Sequence, residues 1–267
     1  MTEFVHKLGN AWEIFKTSLS FISRDKSLLA VPILLVFTSL IFCLLFFFVL
    51  SIGDPTVAVA FYANIIIFLF FMHLWTTFLG AAQAWMVHEV AQGKDTTLLT
   101  GLKRALKNIG DILLFAFVML LISLLVALLR GKRREMGAGL GYAASGLAWL
   151  IETVTGIAGK LVLPAMIITE RNFTQSVKQL QEAIKRIPEI ATFEIGIRPL
   201  TSVISFLSLG VSVLVGLAFG LFAGIILFAL LAIALHIFST LINQIYYTLL
   251  YLTLIEGKKI PGLKLKR

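Results

Sequence analysis

The chain has 267 residues, 59% of them hydrophobic and 14% charged, with a formal net charge of +9. Soluble domains carry about 25% charged residues, so this composition excludes an ordinary cytosolic protein, and so apolar a chain cannot stay solvated and disordered. No Asp, Glu, Lys or Arg occurs between residues 199 and 255, and Asp54 is the only one between 28 and 87; such runs exceed the roughly 20 apolar residues that cross a bilayer.

In chain order, Phe4, Leu8, Trp12, Phe15, Leu19 and Ile22 recur at helical spacing, with Lys7, Glu13 and Lys16 on other faces, which predicts an amphipathic interfacial helix. Spans follow over 28–52 and 56–87, separated by the turn residues Gly53-Asp54-Pro55, a helical hairpin. Leu99, Leu102, Leu106 and Ile109 repeat the amphipathic pattern against Lys103, Arg104 and Lys107. A third span over 112–129 is bounded by Asp111 and Arg130, and a fourth over 139–168 contains Glu152 and Lys160. Phe173, Val177, Leu180, Ile184 and Ile187 then face away from Lys178, Gln181 and Lys185. The uncharged stretch 199–255 is too long for one helix and holds two, with the turn placed around 219–225. The runs lack the period-two alternation of a membrane barrel. The expected fold is therefore an all-α, polytopic membrane protein of six transmembrane helices, arranged as three hairpins, each preceded by a cytoplasmic amphipathic helix.

Orientation follows from the basic residues: 18 of the 23 Lys and Arg fall on one side of these spans, which puts both termini in the cytoplasm by the positive-inside rule. Arg130, Lys132, Arg133 and Arg134 fall on the other side and oppose it. The single Cys43 supports neither an intrachain disulfide nor a cysteine metal site. Charges interspersed through the first 27 residues and the missing cleavage pattern argue against a secretory signal. The positive charge flanks spans, so no nucleic-acid partner is expected. Its natural partners are anionic lipid head groups, at Lys7, Lys16, Lys103, Arg104, Lys107, Lys178 and Lys185.

Each pair of spans ends in an apolar run closed by a glutamate; Glu89, Glu170 and Glu256 recur at intervals of about 85 residues. This suggests a single membrane domain, 1–267, of three internal units, 1–95, 96–172 and 173–267. The alternative is that any six-span protein has three such basic segments.

Ala11-Trp12-Glu13-Ile14-Phe15-Lys16-Thr17-Ser18-Leu19, followed by Arg24-Asp25-Lys26-Ser27-Leu28-Leu29-Ala30-Val31-Pro32, resembles the opening of a family of uncharacterised prokaryotic six-span membrane proteins, a domain of unknown function. Ala148-Trp149-Leu150, then Leu163-Pro164-Ala165-Met166 and Glu170, is similar to its second signature, and Leu241-Ile242-Asn243-Gln244-Ile245-Tyr246-Tyr247 to a third. More distantly, the organisation resembles the membrane domain attached to some glycerophosphodiester phosphodiesterases. The stretch 154–160 is longer than the family's spacing between Trp and Pro. The resemblance implies an architecture and a prokaryotic inner or plasma membrane, and no catalytic residues or cofactor.

Polar groups within hydrocarbon are costly and mark sites or packing contacts. Asn64, His73, Glu152, Lys160, Asn243 and Gln244 form the candidate intramembrane polar set, with Gln83 and His236 as further polar groups. Glu152 and Lys160, about 12 Å apart along a helix, do not pair directly. They serve either interhelical packing or a site, and Glu152 can meet a basic partner on another span. The histidines have no ligands at metal spacing, and Asn243 and Gln244 suit cross-helix hydrogen bonds or a polar cavity. Ser208, Ser212, Gly216, Gly220 and Gly224 fall at four-residue spacing, a small-residue stripe for close packing within the chain or against a second copy or partner membrane protein. No phosphate loop, dinucleotide fingerprint, nucleophile elbow or carboxylate cluster is present. The sequence therefore favours a non-enzymatic role in transport, permeation or membrane organisation. The alternatives are an interfacial lipid-modifying enzyme using Glu152 or Glu170, and an accessory subunit of a membrane complex.

Overall fold

The structure is a computed structural model describing residues 2–52, 58–131, 138–183, 207 and 209–261, with side chains over 12–48, 61–131, 142–179, 207, 209–253 and 255–261. The turn at Gly53, Asp54 and Pro55, the basic residues Lys132, Arg133 and Arg134, Lys185, Ser208 and the side chain of Lys7 lie outside these limits. The described residues contain no strand. In order they form α1 (Thr2–Arg24), a 3-10 turn (Lys26–Leu29), α2 (Ala30–Ile52), α3 (Ala58–Ala91), α4 (Leu98–Lys107), α5 (Ile109–Gly131), α6 (Ala138–Thr169) and α7 (Phe173–Ala183). The short apolar α8 (Leu209–Phe219), α9 (Leu221–Leu250) and a π turn (Tyr251–Ile255) complete the order.

Five of these stretches are long and apolar enough to cross a membrane: Lys26–Phe48, Phe61–Ala91, Ile109–Gly131, Tyr142–Thr169 and Leu221–Thr253. Their limits have local causes. Asp25, in extended conformation, accepts the backbone N–H of Ser27 at 2.8 Å and so starts the first. Thr97 and Thr100 form a reciprocal capping box at the head of α4. The break within the uncharged stretch falls at Gly220, whose φ of +99° suits glycine alone, and α8 stops there. Gly224 lies so near Gly216 and Ser212 that an added Cβ would come within 2.7 Å of the Ser212 carbonyl oxygen. Part of the small-residue stripe is thus occupied within the chain, where α8 meets α9. Pro164 is accommodated inside α6.

The residues cluster into two compact units. One contains the described parts of Met1–Val36, Val87–Thr96 and Glu182–Arg267. In it α1 packs on α9 and buries Ile14, Thr17, Ser18 and Phe21, and the last third of α9 with its π turn is buried almost all round, including Tyr246, Tyr247 and Tyr251. The other contains the described parts of Phe37–Met86 and Thr97–Gln181. In it α5 and α6 pack along one another, Trp75 of α3 donates to the Thr38 hydroxyl of α2 at 2.9 Å, and Phe70 of α3 meets Phe117 of α5 edge to face.

Burial is concentrated in three runs: 79–90 of α3, 161–168 of α6 and 241–252 of α9 and its π turn. Glu89 falls within the first run, and Glu170 and Glu256 follow the second and third within four residues. The opposite halves of α2, α3 and α9 leave Phe37, Leu44, Phe47, Ile67, Leu221 and Phe222 exposed, a pattern stable only against lipid.

On α4 and α7 the buried residues are small and large apolar side chains face outward, whereas α1 buries Ile14 and Phe21 beside Thr17 and Ser18 and leaves other large side chains outside. On α4, Gly101 and Ala105 are buried while Leu99 and Leu106 are exposed; on α1, Trp12 and Leu19 are exposed; on α7, Ser176 is buried and Val177 exposed. A Cβ on Gly101 would fall 2.8 Å from the Ala82 carbonyl oxygen, which shows how closely α4 approaches α3.

Candidate functional site

Two ion-pair sites of the second unit lie towards opposite ends of the α5–α6 pair. At one end Arg104 of α4 is 12% exposed and lies 4.2 Å from the centroid of the Trp85 ring. Its Nε donates to the Ile167 carbonyl at 3.0 Å and its Nη1 to the Glu170 carboxylate, which also receives Lys107 at 3.1 Å. Glu170 follows the last residue of α6 with φ +54°, a left-handed conformation that glycine or asparagine usually fills. A carboxylate there also opposes the helix dipole. Arg104 and Lys107 offset both costs, and their hydrogen bonds and positive charge hold the Glu170 carboxyl below its ordinary value. Beside it Asp111, at the head of α5, accepts the backbone N–H of Phe173, the first residue of α7, at 3.0 Å.

The first unit uses the same device. Asp25, just before the first span, accepts the backbone N–H of Thr96, one residue before the cap of α4, at 3.2 Å. Burial raises the Asp25 carboxyl, but hydrogen bonds from Ser27 and Thr96 outweigh it and leave it below its ordinary value. Glu89, at the end of α3, accepts the Thr96 hydroxyl at 2.5 Å, and Glu256 accepts the Tyr251 hydroxyl at 2.9 Å.

At the far end of the α5–α6 pair, Arg130 of α5 donates to Glu152 of α6, and both side chains are 54% exposed. Next to this pair a cavity of about 510 Å³ runs between the helices. Met119, Ile122, Val126 and Ala127 of α5 form one wall, and Thr155 and Gly156 of α6 the other. The hydroxyls on these walls are already satisfied by their own helices: Ser123 donates to the Met119 carbonyl at 2.8 Å and Thr155 to the Ile151 carbonyl at 2.6 Å. Below the ion pair the cavity therefore behaves as an apolar one. The helix rises about 26 Å from Glu152 to Thr169, close to the roughly 30 Å of a hydrocarbon core.

The candidate polar set is dispersed. Asn64 is exposed on α3, where the surrounding surface is apolar, and His73 is half-buried on the same helix. Lys160 is half-buried on α6 between the two charged ends, and only Glu152 of the set lines the cavity. Asn243 and Gln244 belong to the first unit, where the Asn243 amide reaches the Ser239 hydroxyl at 3.4 Å and the Gln244 carbonyl accepts from Thr248.

The head-group cations also divide. Lys103 and Lys178 are exposed, Lys16 pairs with Glu13 at 3.0 Å, and Lys107 is exposed yet bonded to Glu170. Arg104 departs from the expected lipid contact: its guanidinium is engaged by Glu170, Ile167 and Trp85. Sequence reasoning missed the importance of Gly101, Asp111 and Arg130. The signal for the last was present, since Glu152 needed a basic partner on another span. The chain matches no protein-family model and no curated protein.

Proposed function

We propose that this is a non-enzymatic six-span protein of membrane organisation, whose amphipathic helices lie in the cytoplasmic interface and insert their large apolar side chains among lipids. The single observation that carries this reading is the inverted packing of α4: Gly101 and Ala105 face the protein, Leu99 and Leu106 face outward, and Lys103 and Lys107 rim them. A helix built to cover a soluble core would bury the leucines. The shared Asp25 and Asp111 contacts support a threefold internal repeat in which each hairpin is tied to the next amphipathic helix. The resemblance to prokaryotic six-span proteins is consistent with that architecture.

The test is site-directed spin labelling in nanodiscs, in a Cys43→Ala background, with single cysteines at Leu99, Leu106, Lys103 and Lys107. Labels at 99 and 106 should be accessible to oxygen and shielded from a water-soluble nickel chelate, and those at 103 and 107 the reverse. Equal chelate access at all four positions would overturn the reading.

The α5–α6 cavity favours a second reading, permeation of a small solute past Glu152. Proteoliposomes that release a trapped fluorophore or ion faster than empty vesicles would support it. Unchanged release would leave the organising role.

A further inference from the structure

We propose that the groove between α5 and α6 is a binding site for a phospholipid with an ethanolamine head group; this rests on the membrane-organising reading and names its lipid. The groove has the size of a ligand site, about 510 Å³. Its walls below the ion pair are apolar and suit an acyl chain, while its mouth carries one cation and one anion. Arg130 stands in the last turn of α5, about 32 Å of helix rise from Ile109, which places that mouth near the membrane surface, at head-group depth.

The chemistry of the mouth selects the head group. Arg130 presents a planar fork of N–H donors that matches a phosphodiester, and Glu152 accepts hydrogen bonds from a primary ammonium. Choline carries no N–H to give Glu152, and an anionic head group meets its negative charge. The Arg130–Glu152 pair is half exposed, so parting it to admit a zwitterion between the two groups costs little. Gly156 lines the groove, and a Cβ there would have nothing within 4 Å. The helix therefore leaves room on the side where an acyl chain would run.

The experiment is native mass spectrometry of the full-length protein in detergent, with dioleoyl phosphatidylethanolamine, phosphatidylcholine and phosphatidylglycerol supplied at equal mole fraction. The wild type should retain phosphatidylethanolamine about tenfold better than phosphatidylcholine, the effect of one charge-assisted hydrogen bond. Glu152→Gln should level the two, and Arg130→Gln should weaken retention of both. Gly156→Leu keeps the ion pair and fills the groove, so it should reduce phosphatidylethanolamine retention in a protein with unchanged thermal stability. Equal retention of the three lipids by the wild type, a preference for phosphatidylglycerol, or an ethanolamine preference that survives both Glu152→Gln and Gly156→Leu would overturn the proposal. Spin labels at Leu99 and Leu106 that remain in lipid would then show that the organising reading stands without this site.

Discussion

The two ends of the α5–α6 pair carry the same chemistry, an arginine on a glutamate, in opposite settings. At the α4 end the guanidinium is almost enclosed, stacks on Trp85 and bonds a backbone carbonyl as well as Glu170. At the Arg130 end both partners are half exposed beside a groove. The difference teaches that an ion pair's role is set by what surrounds it. The first fastens α4 to the end of α6, and the second leaves both its charges half exposed.

Mutations at the fastened end should have the larger effects. Gly101→Leu drives a side chain into the Ala82 carbonyl and Met86, and should cost about 2–3 kcal/mol of stability and release α4, read as a lowered thermal midpoint in detergent. Arg104→Ala removes the Ile167 hydrogen bond and the stacking on Trp85, an expected loss of about 1–2 kcal/mol by the same measurement.

Acid provides a finer test. Glu170 has a lowered carboxyl value, so its stabilising contribution is present above the ordinary carboxylate range and is lost as the pH falls through the lowered value. The thermal midpoints of wild type and Glu170→Gln should therefore differ near neutrality and converge in acid. Because Glu170 is exposed, high salt should narrow the difference. The smallest effect belongs to the open end: Glu152→Gln should change stability by about 0–1 kcal/mol. A large loss there would make the two ends alike and remove the contrast.

Much of the helical layout was legible, because charges can be placed only at span ends or against partners. Asp111 and Arg130 stand in the first and last turns of α5, and Gly220 falls inside the window expected for a break in the uncharged stretch. The residues through which the amphipathic helices touch the rest of the chain were not legible. Periodicity reveals a stripe of large apolar residues, and in water that stripe faces the protein. Beside a bilayer it can face lipid, and close helix contact then falls to residues such as Gly101 and Ala105. The candidate site was only partly legible for a related reason. Glu152 stands out as a charge within an apolar run, but its partner Arg130 reads as one of the basic residues that flank spans, and nothing local to either marks the groove between them. Asn64 shows the converse, a polar residue on an exposed apolar face that no periodicity separates from a buried one.

The claim on which the rest depends is that α5 and α6 cross the membrane with their two charged ends at opposite surfaces. Single cysteines at Gly131 and Asn172, in a Cys43→Ala background and in sealed vesicles of known orientation, test it with a membrane-impermeant maleimide. The account predicts that one position is labelled from outside the vesicle and the other only after permeabilisation. Labelling of both from the same side would contradict it.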